Sequence, residues 1–296
     1  MSVQLSEPIR MLVRQAGDVR IHTFVASFSD DNIADATHII ESENQLVLID
    51  GQFLVYYANE FRRYADSLRK PIERLYLTHR HPDHWFGLGT AFRDVPIYAL
   101  QETKEFIEEH GEEQRQDHLA ILGDQAPAQI VDPQKIRLAE LVPTKIDGVE
   151  YVFSKVIETE IDFHLIIELP ELKVAIVQDL IYSGTHLYLS KGTPPKRGPP
   201  KEASLYLTKN ISHWINILGG MLGSTYDLFM PGHGLPADKH EVALNIEYLA
   251  AAKQAISNGL IDGAFRDFML RRYPARLCAK IFDIYMPRLF HDARDY

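Results

Sequence analysis

The run Leu75, Tyr76, Leu77, Thr78 leads directly into His79, Arg80, His81, Pro82, Asp83 and His84, and no other stretch constrains the chain as strongly. An imidazole or carboxylate taken out of water needs a hydrogen-bond partner, an opposite charge or a metal. The apolar run reads as a buried strand, and α/β proteins place their sites at the C-terminal ends of such strands. Four readings of the cluster are open: a solvated polar turn, a capped helix start, a metal site and a proton-transfer site. If the turn leads into a helix, His79 and His81 can address one ion, and Asp83 and His84, half a turn on, a neighbouring one. Nitrogen and oxygen donors without thiolate suit Zn²⁺ in an open catalytic site, and also suit Fe or Mn.

The rest of the chain has the pattern of an α/β protein. Residues 20–27, 36–42 and 45–50 read as strands rich in β-branched residues, the last ended by Asp50-Gly51. Apolar residues at helical spacing follow over 56–68, then a strand over 72–79, another over 96–100 and a charged helix over 102–111. Strands return at 129–133, 147–158, 162–170 and 173–179, with a turn at Leu169 to Leu172. Gly192 to Pro200 reads as a loop, followed by a helix near 202–218, a short strand at 226–230 and Pro231-Gly232-His233-Gly234. Beyond Pro236 the pattern is helical. Two strand-then-helix halves predict an αβ/βα four-layer sandwich, two mixed sheets with helices outside, and no linker divides it. The expectation is one domain over 1–296, with 237–296 as a helical C-terminal extension.

A formal charge of −10 opposes nucleic-acid phosphates and anionic membranes, so neither is expected as a partner. With Cys278 as the single cysteine, an intrachain disulfide and a thiolate zinc cluster are both excluded. The opening MSVQLSEPIRMLVRQAG lacks the apolar core of a signal peptide, and no run of about 18 apolar residues occurs, so a cytoplasmic protein is expected.

A metal site needs more ligands than one turn supplies, and candidates stand at other strand ends. Asp179 closes the apolar strand at 173–179, His233 lies between two glycines, and Glu160 stands just before the strand that carries His164. Each has an ordinary alternative: a cap, a loop histidine, a surface carboxylate.

HRHPDH, then Asp179, then PGHG, in that order, resemble the metallo-β-lactamase superfamily, with LVLIDG similar to the family strand whose aspartate supports a ligand histidine. The resemblance covers roughly residues 20 to 240. Most members carry Gly-His-Thr about nineteen residues before the strand-end aspartate, a position that here falls on Glu160, as in the alkylsulfatase branch. The large dimerisation and C-terminal domains of that branch are missing here, and His164 is the alternative ligand if the strand is shifted. The resemblance implies one ion on His79, His81 and Glu160, a second on Asp83, His84 and His233, and Asp179 bridging them. Asp50 is then the residue that holds a ligand histidine from behind.

What the resemblance implies is a hydrolase of a carboxylic ester, lactone or sulfate ester. Two zinc ions, with Fe or Mn as alternatives, would present hydroxide as nucleophile to a small-molecule substrate. Asp83 would orient the water and shuttle its proton. Tyr182, His186 and His164 are candidate substrate contacts, with aromatic packing as the competing reading for the first two. An iron-dependent oxidoreductase and a non-catalytic binding protein on the same scaffold are the alternatives, and a homodimer is left open.

Overall fold

The computed structural model describes residues 5–29, 32–189 and 200–291. Two compact units are present, one made of Met1–Ser27, Asp35–Lys155 and His164–Ile176, the other of Phe28–Ala34, Val156–Phe163 and Val177–Tyr296.

The first unit is built on a seven-stranded sheet ordered β1 (Ile9–Ala16), β2 (Val19–Val25), β3 (Ala36–Glu41), β4 (Leu46–Ile49), β5 (Ile72–Leu77), β6 (Ile97–Ala99) and β7 (Ile136–Leu138). From β1 to β4 neighbours are antiparallel, and from β4 to β7 they are parallel. Parallel pairing requires crossover connections, which α1 (Val55–Ser67), the short helices α2 (Pro82–Trp85) and α3 (Leu88–Ala91), and α4 (Gln101–Leu122) supply. Tyr57, Ala58, Phe61 and Ala65 form the buried stripe of α1. Tyr57, Phe61 and Ala65 join Phe24, Leu48, Leu75, Trp85 and Phe86 in one core, so the residues that follow the histidine cluster are themselves core residues.

Strands β8 (Thr144–Ile146), β9 (Val149–Ile157), β10 (Phe163–Leu169), β11 (Val174–Ser183) and β12 (Leu228–Gly234) form a five-stranded sheet in the order β12-β11-β10-β9-β8. Every residue of β11 is buried. In the second unit α5 (Pro200–Gly223) packs on α6 (Lys239–Ser257), followed by α7 (Asp262–Arg272) and α8 (Ile281–His291). Asp238 caps α6 by accepting from the backbone N–H of Glu241 at 3.0 Å. Asn245, buried in α6, exchanges two hydrogen bonds of 3.0 Å with the backbone N–H and carbonyl of Tyr182. The Arg276 guanidinium donates to the carbonyls of Tyr182 (3.0 Å) and Thr185 (2.6 Å). The helical C-terminal segment thus clamps the end of β11. No helix among the described residues is long and apolar enough to cross a membrane.

The expected class, two sheets with helices and a helical C-terminal region, is what the chain adopts. Three local expectations are corrected. Residues 129–133 form no strand, because Asp132 caps a 3-10 turn at Pro133–Lys135, where proline has no N–H for a ladder, and the strand starts at Ile136. The helix expected to end at Gly111 runs to Leu122, with Gly111 buried in its middle against Ile130 and Trp85, where a Cβ would fit tightly. Pro231 to Gly234 lie inside β12 rather than after it. Strands β1 and β8 were not foreseen. The loop expected over Gly192–Pro200 lies outside the described residues, apart from Pro200 at the start of α5.

Two backbone segments meet with no space between them behind the cluster. The N–H of Gly51 donates to the carbonyl of His84 (2.7 Å) and that of Gly87 to the carbonyl of Gln52 (2.9 Å). A Cβ on Gly87 would overlap the Gly51 carbonyl oxygen and press on Cβ of Ala58. Gly87→Ala is therefore expected to destabilise the protein by about 2 kcal/mol or more through overpacking. Gly220→Ala, on an open face of α5, should stabilise by about 0.5–1 kcal/mol. Urea unfolding of both variants checks the pair, and equal midpoints would contradict the close approach.

Candidate metal centre

The centre is built outward from Asp50, fully buried at the end of β4 with a left-handed backbone (φ 61°). Its carboxylate accepts from the Thr78 N–H (2.8 Å), the Thr78 hydroxyl (2.8 Å) and His84 Nδ1 (2.8 Å). Because the carboxylate only accepts, the proton of His84 is on Nδ1, and Nε2 presents its lone pair. Pro82 opens α2 and holds His81 extended at its N-cap (φ −68°, ψ 139°), turning the backbone between His81 and His84. Trp85 Nε1 donates to the Arg80 carbonyl at 2.9 Å and closes the turn.

Within this turn His79 Nε2 and His81 Nδ1 converge to 3.2 Å, and Asp83 Oδ2 lies 3.5 Å from His84 Nε2. The rings of His79 and His84 are 4.0 Å apart. The N–H of Leu165 on β10 donates to the Thr78 carbonyl (2.8 Å), which brings the His164 ring to 4.8 Å from that of His79.

Around Asp179 on β11 a second set of contacts repeats the logic. Asp179 Oδ2 accepts from the Tyr182 hydroxyl (2.9 Å) and lies 3.1 Å from His233 Nε2. His233 Nδ1 donates to the Ile33 carbonyl (2.7 Å), which again leaves Nε2 as the donor atom facing the carboxylate. The Tyr182 ring stacks on His233 at 4.8 Å with planes 7° apart. Gly234 follows with φ 89° and its N–H on the Ala34 carbonyl (2.9 Å), and a Cβ there would overlap the Ser183 carbonyl. Only glycine satisfies both conditions. Glu160 is buried in the tight turn that joins β9 to β10, closed by the Thr159 N–H on the Ile161 carbonyl at 3.1 Å.

Two groups of donors could each hold a metal ion: His79, His81, Glu160 and Asp179, and Asp83, His84, Asp179 and His233. Within each group one ligand atom per residue lies within 4.8 Å of the others. Asp179 belongs to both, so the donors are compatible with a dinuclear centre. The set fits such a centre chemically as well, since every donor is imidazole nitrogen or carboxylate oxygen and all but Asp83 are buried.

All seven expected ligands thus fall in the two groups, and His164 falls in neither, although its ring packs against His79. His186 falls in neither group; its Nδ1 is 3.1 Å from the Tyr248 hydroxyl and its ring 4.8 Å from Phe282. Sequence reasoning missed Thr78, Asn245 and the Ile33 carbonyl. Asn245 had a signal, an amide inside the apolar pattern of α6. The Ile33 carbonyl had none, since a backbone acceptor leaves no mark in sequence.

A family model described as the metallo-beta-lactamase superfamily matches residues 36–233. No curated protein matches the chain. Among solved structures, a metallo-β-lactamase from Pontibacter korlensis is 15% identical with a TM-score of 0.54, over 82% of this chain and 99% of its own. The FIM-1 metallo-β-lactamase from Pseudomonas aeruginosa, solved in a mono-zinc form, is 16% identical with a TM-score of 0.52, over 82% and 96%. A metallo-β-lactamase from Hirschia baltica is 20% identical with a TM-score of 0.50, over 81% and 97%. At these identities the likeness shows the fold alone.

Residues that hold ligands from behind commonly contribute about 10- to 100-fold to metal affinity. Asp50→Asn and Tyr182→Phe are each expected to weaken metal binding by about that factor, measured by competition with a chromophoric chelator. Wild-type affinity in both variants would show that neither side chain positions a ligand.

Proposed function

Because the chain belongs to the metallo-β-lactamase superfamily, we propose that it is a metal-dependent hydrolase that attacks an ester-like bond in a small molecule: a carboxylic ester, a lactone or a sulfate ester. The observation that carries this reading is the pair of donor groups sharing Asp179. His79, His81 and Glu160 would hold one zinc ion and Asp83, His84 and His233 a second, with Asp179 available to both. The chemistry such a cation pair supplies when bound is an acidified water as nucleophile and polarisation of the attacked oxygen.

The protein's own groups do the rest. Asp83, half-buried beside His84, orients the nucleophilic water and accepts its proton on a carboxylate oxygen. Asp50 holds the His84 tautomer, and Tyr182 holds the carboxylate of Asp179. A substrate contact is assigned to His164, whose ring lies beside that of His79.

A second reading rests on Glu160. A carboxylate in place of an imidazole adds negative charge and hardens the first site, which favours iron or manganese and an iron-dependent oxidoreductase. Metal analysis combined with turnover on aryl and alkyl esters, lactones and sulfate esters separates the readings. The hydrolase reading expects about two zinc ions per chain, turnover on that panel, and a 10²- to 10⁴-fold loss of kcat in Asp83→Ala. Iron with oxygen consumption supports the second reading. Stoichiometric metal without any turnover leaves a binding protein and sinks both.

A further inference from the structure

Away from the histidine turn, the first unit carries a cavity of about 670 Å³. It opens where β6 and β7 begin, whereas Asp50 and His79 follow the ends of the parallel strands β4 and β5. Its size lies within the range of about 300–1,000 Å³ usual for small-molecule sites. Val95, Ile97 and Val131 are its buried apolar lining, 8%, 3% and 6% exposed.

The charged groups around it are unequal in what they have left to offer. Three cations line it, Arg93, Lys135 and Arg137, against two carboxylates, Asp94 and Asp132. Asp94 is consumed by Arg62, which donates to its two oxygens at 2.6 and 3.0 Å and holds its carboxyl below the usual range. Asp132 engages one oxygen as the cap of the 3-10 turn, accepting from the Gln134 N–H at 3.0 Å, and keeps its charge, which leaves three cations against one carboxylate that no cation pairs among the described residues. Arg137 donates one amine to the Tyr98 hydroxyl at 3.0 Å and keeps its remaining donors. Arg93 and Lys135 form no ion pair or side-chain hydrogen bond among the described residues. The local balance is therefore cationic on a chain whose formal charge is −10.

We propose that this cavity binds a phosphate-bearing small molecule of nucleotide size, at a site separate from the metal centre. The arginine forks and the lysine match phosphate oxygens, and the apolar lining receives a planar or aliphatic body. Arg93 follows α3, and the opposite wall, Gln129 to Val131, is the backbone against which α3 packs, since a Cβ on Gly89 would meet the Ile130 carbonyl carbon at 2.7 Å and the Val131 nitrogen at 2.9 Å. A ligand joining Arg93 to Lys135 ties these segments together and raises the melting temperature.

The test uses the full chain stripped of metal by a chelator, so that the donor cluster offers no cation to an anion. Adenosine 5′-monophosphate and inorganic phosphate are the probes, read by isothermal titration calorimetry and thermal melting. One nucleotide per chain is expected, with a rise in melting temperature and phosphate binding at least tenfold more weakly. Arg93→Ala/Lys135→Ala, at exposed and unpaired positions, should melt as the wild type does and lose at least tenfold in nucleotide affinity, whereas Asp83→Asn should bind normally. No saturable nucleotide binding at millimolar concentration, full affinity in the double variant, or loss in Asp83→Asn alone each overturns the proposal. Phosphate binding as tightly as the nucleotide overturns the assigned ligand size.

Discussion

A carboxylate with no access to water organises the histidine turn. Asp50 ends β4 in a left-handed conformation and receives three hydrogen bonds, two from Thr78 and one from His84. Burying that charge would cost several kcal/mol if its donors were absent. The donors come from the residue that ends the next strand and from the helix after it, so the ion's burial is tolerable only when β4, β5 and α2 are in register. The same contacts orient the imidazole of His84, a member of one of the donor groups. Stability and ligand geometry are thus one interaction.

Around it the backbone is drawn unusually close. Gly51 and Gly87 let the turn after β4 and the helices after β5 touch carbonyl to Cα, and Gly89 does the same against residues 129–131. These contacts place the histidine turn on core packing rather than on a loose loop, with Trp85 and Phe86 fully buried immediately after His84. Rigid support of this kind fixes the positions of the donor atoms on the turn. On β11 the clamp comes from the C-terminal helices, through Asn245 and Arg276 on the backbone of Tyr182.

Much of this was legible in the sequence because it is local. The apolar run before His79, the proline inside the cluster and the glycines around His233 are signals within a few residues of the groups they position. Most strands and helices followed from the same periodicity. Errors arose where distant contacts override a local rule: Gly111 reads as a helix end, yet it lies in mid-helix packed closely on Trp85 and Ile130, and Asp132-Pro133 interrupts a run that otherwise has strand character.

By itself the sequence determined the chemistry of the candidate donors, nitrogen and oxygen without thiolate, and their order along the chain, since both are properties of residue type and spacing. It also carried the departure at Glu160. Only the tertiary structure decided that Glu160 and not His164 shares a donor group with His79 and His81, and that Tyr182 spends its hydroxyl on Asp179. Which side chains converge depends on how the turn between β9 and β10 is closed and on where β11 ends. Those are set by hydrogen bonds between residues far apart in the chain, and no local pattern encodes them.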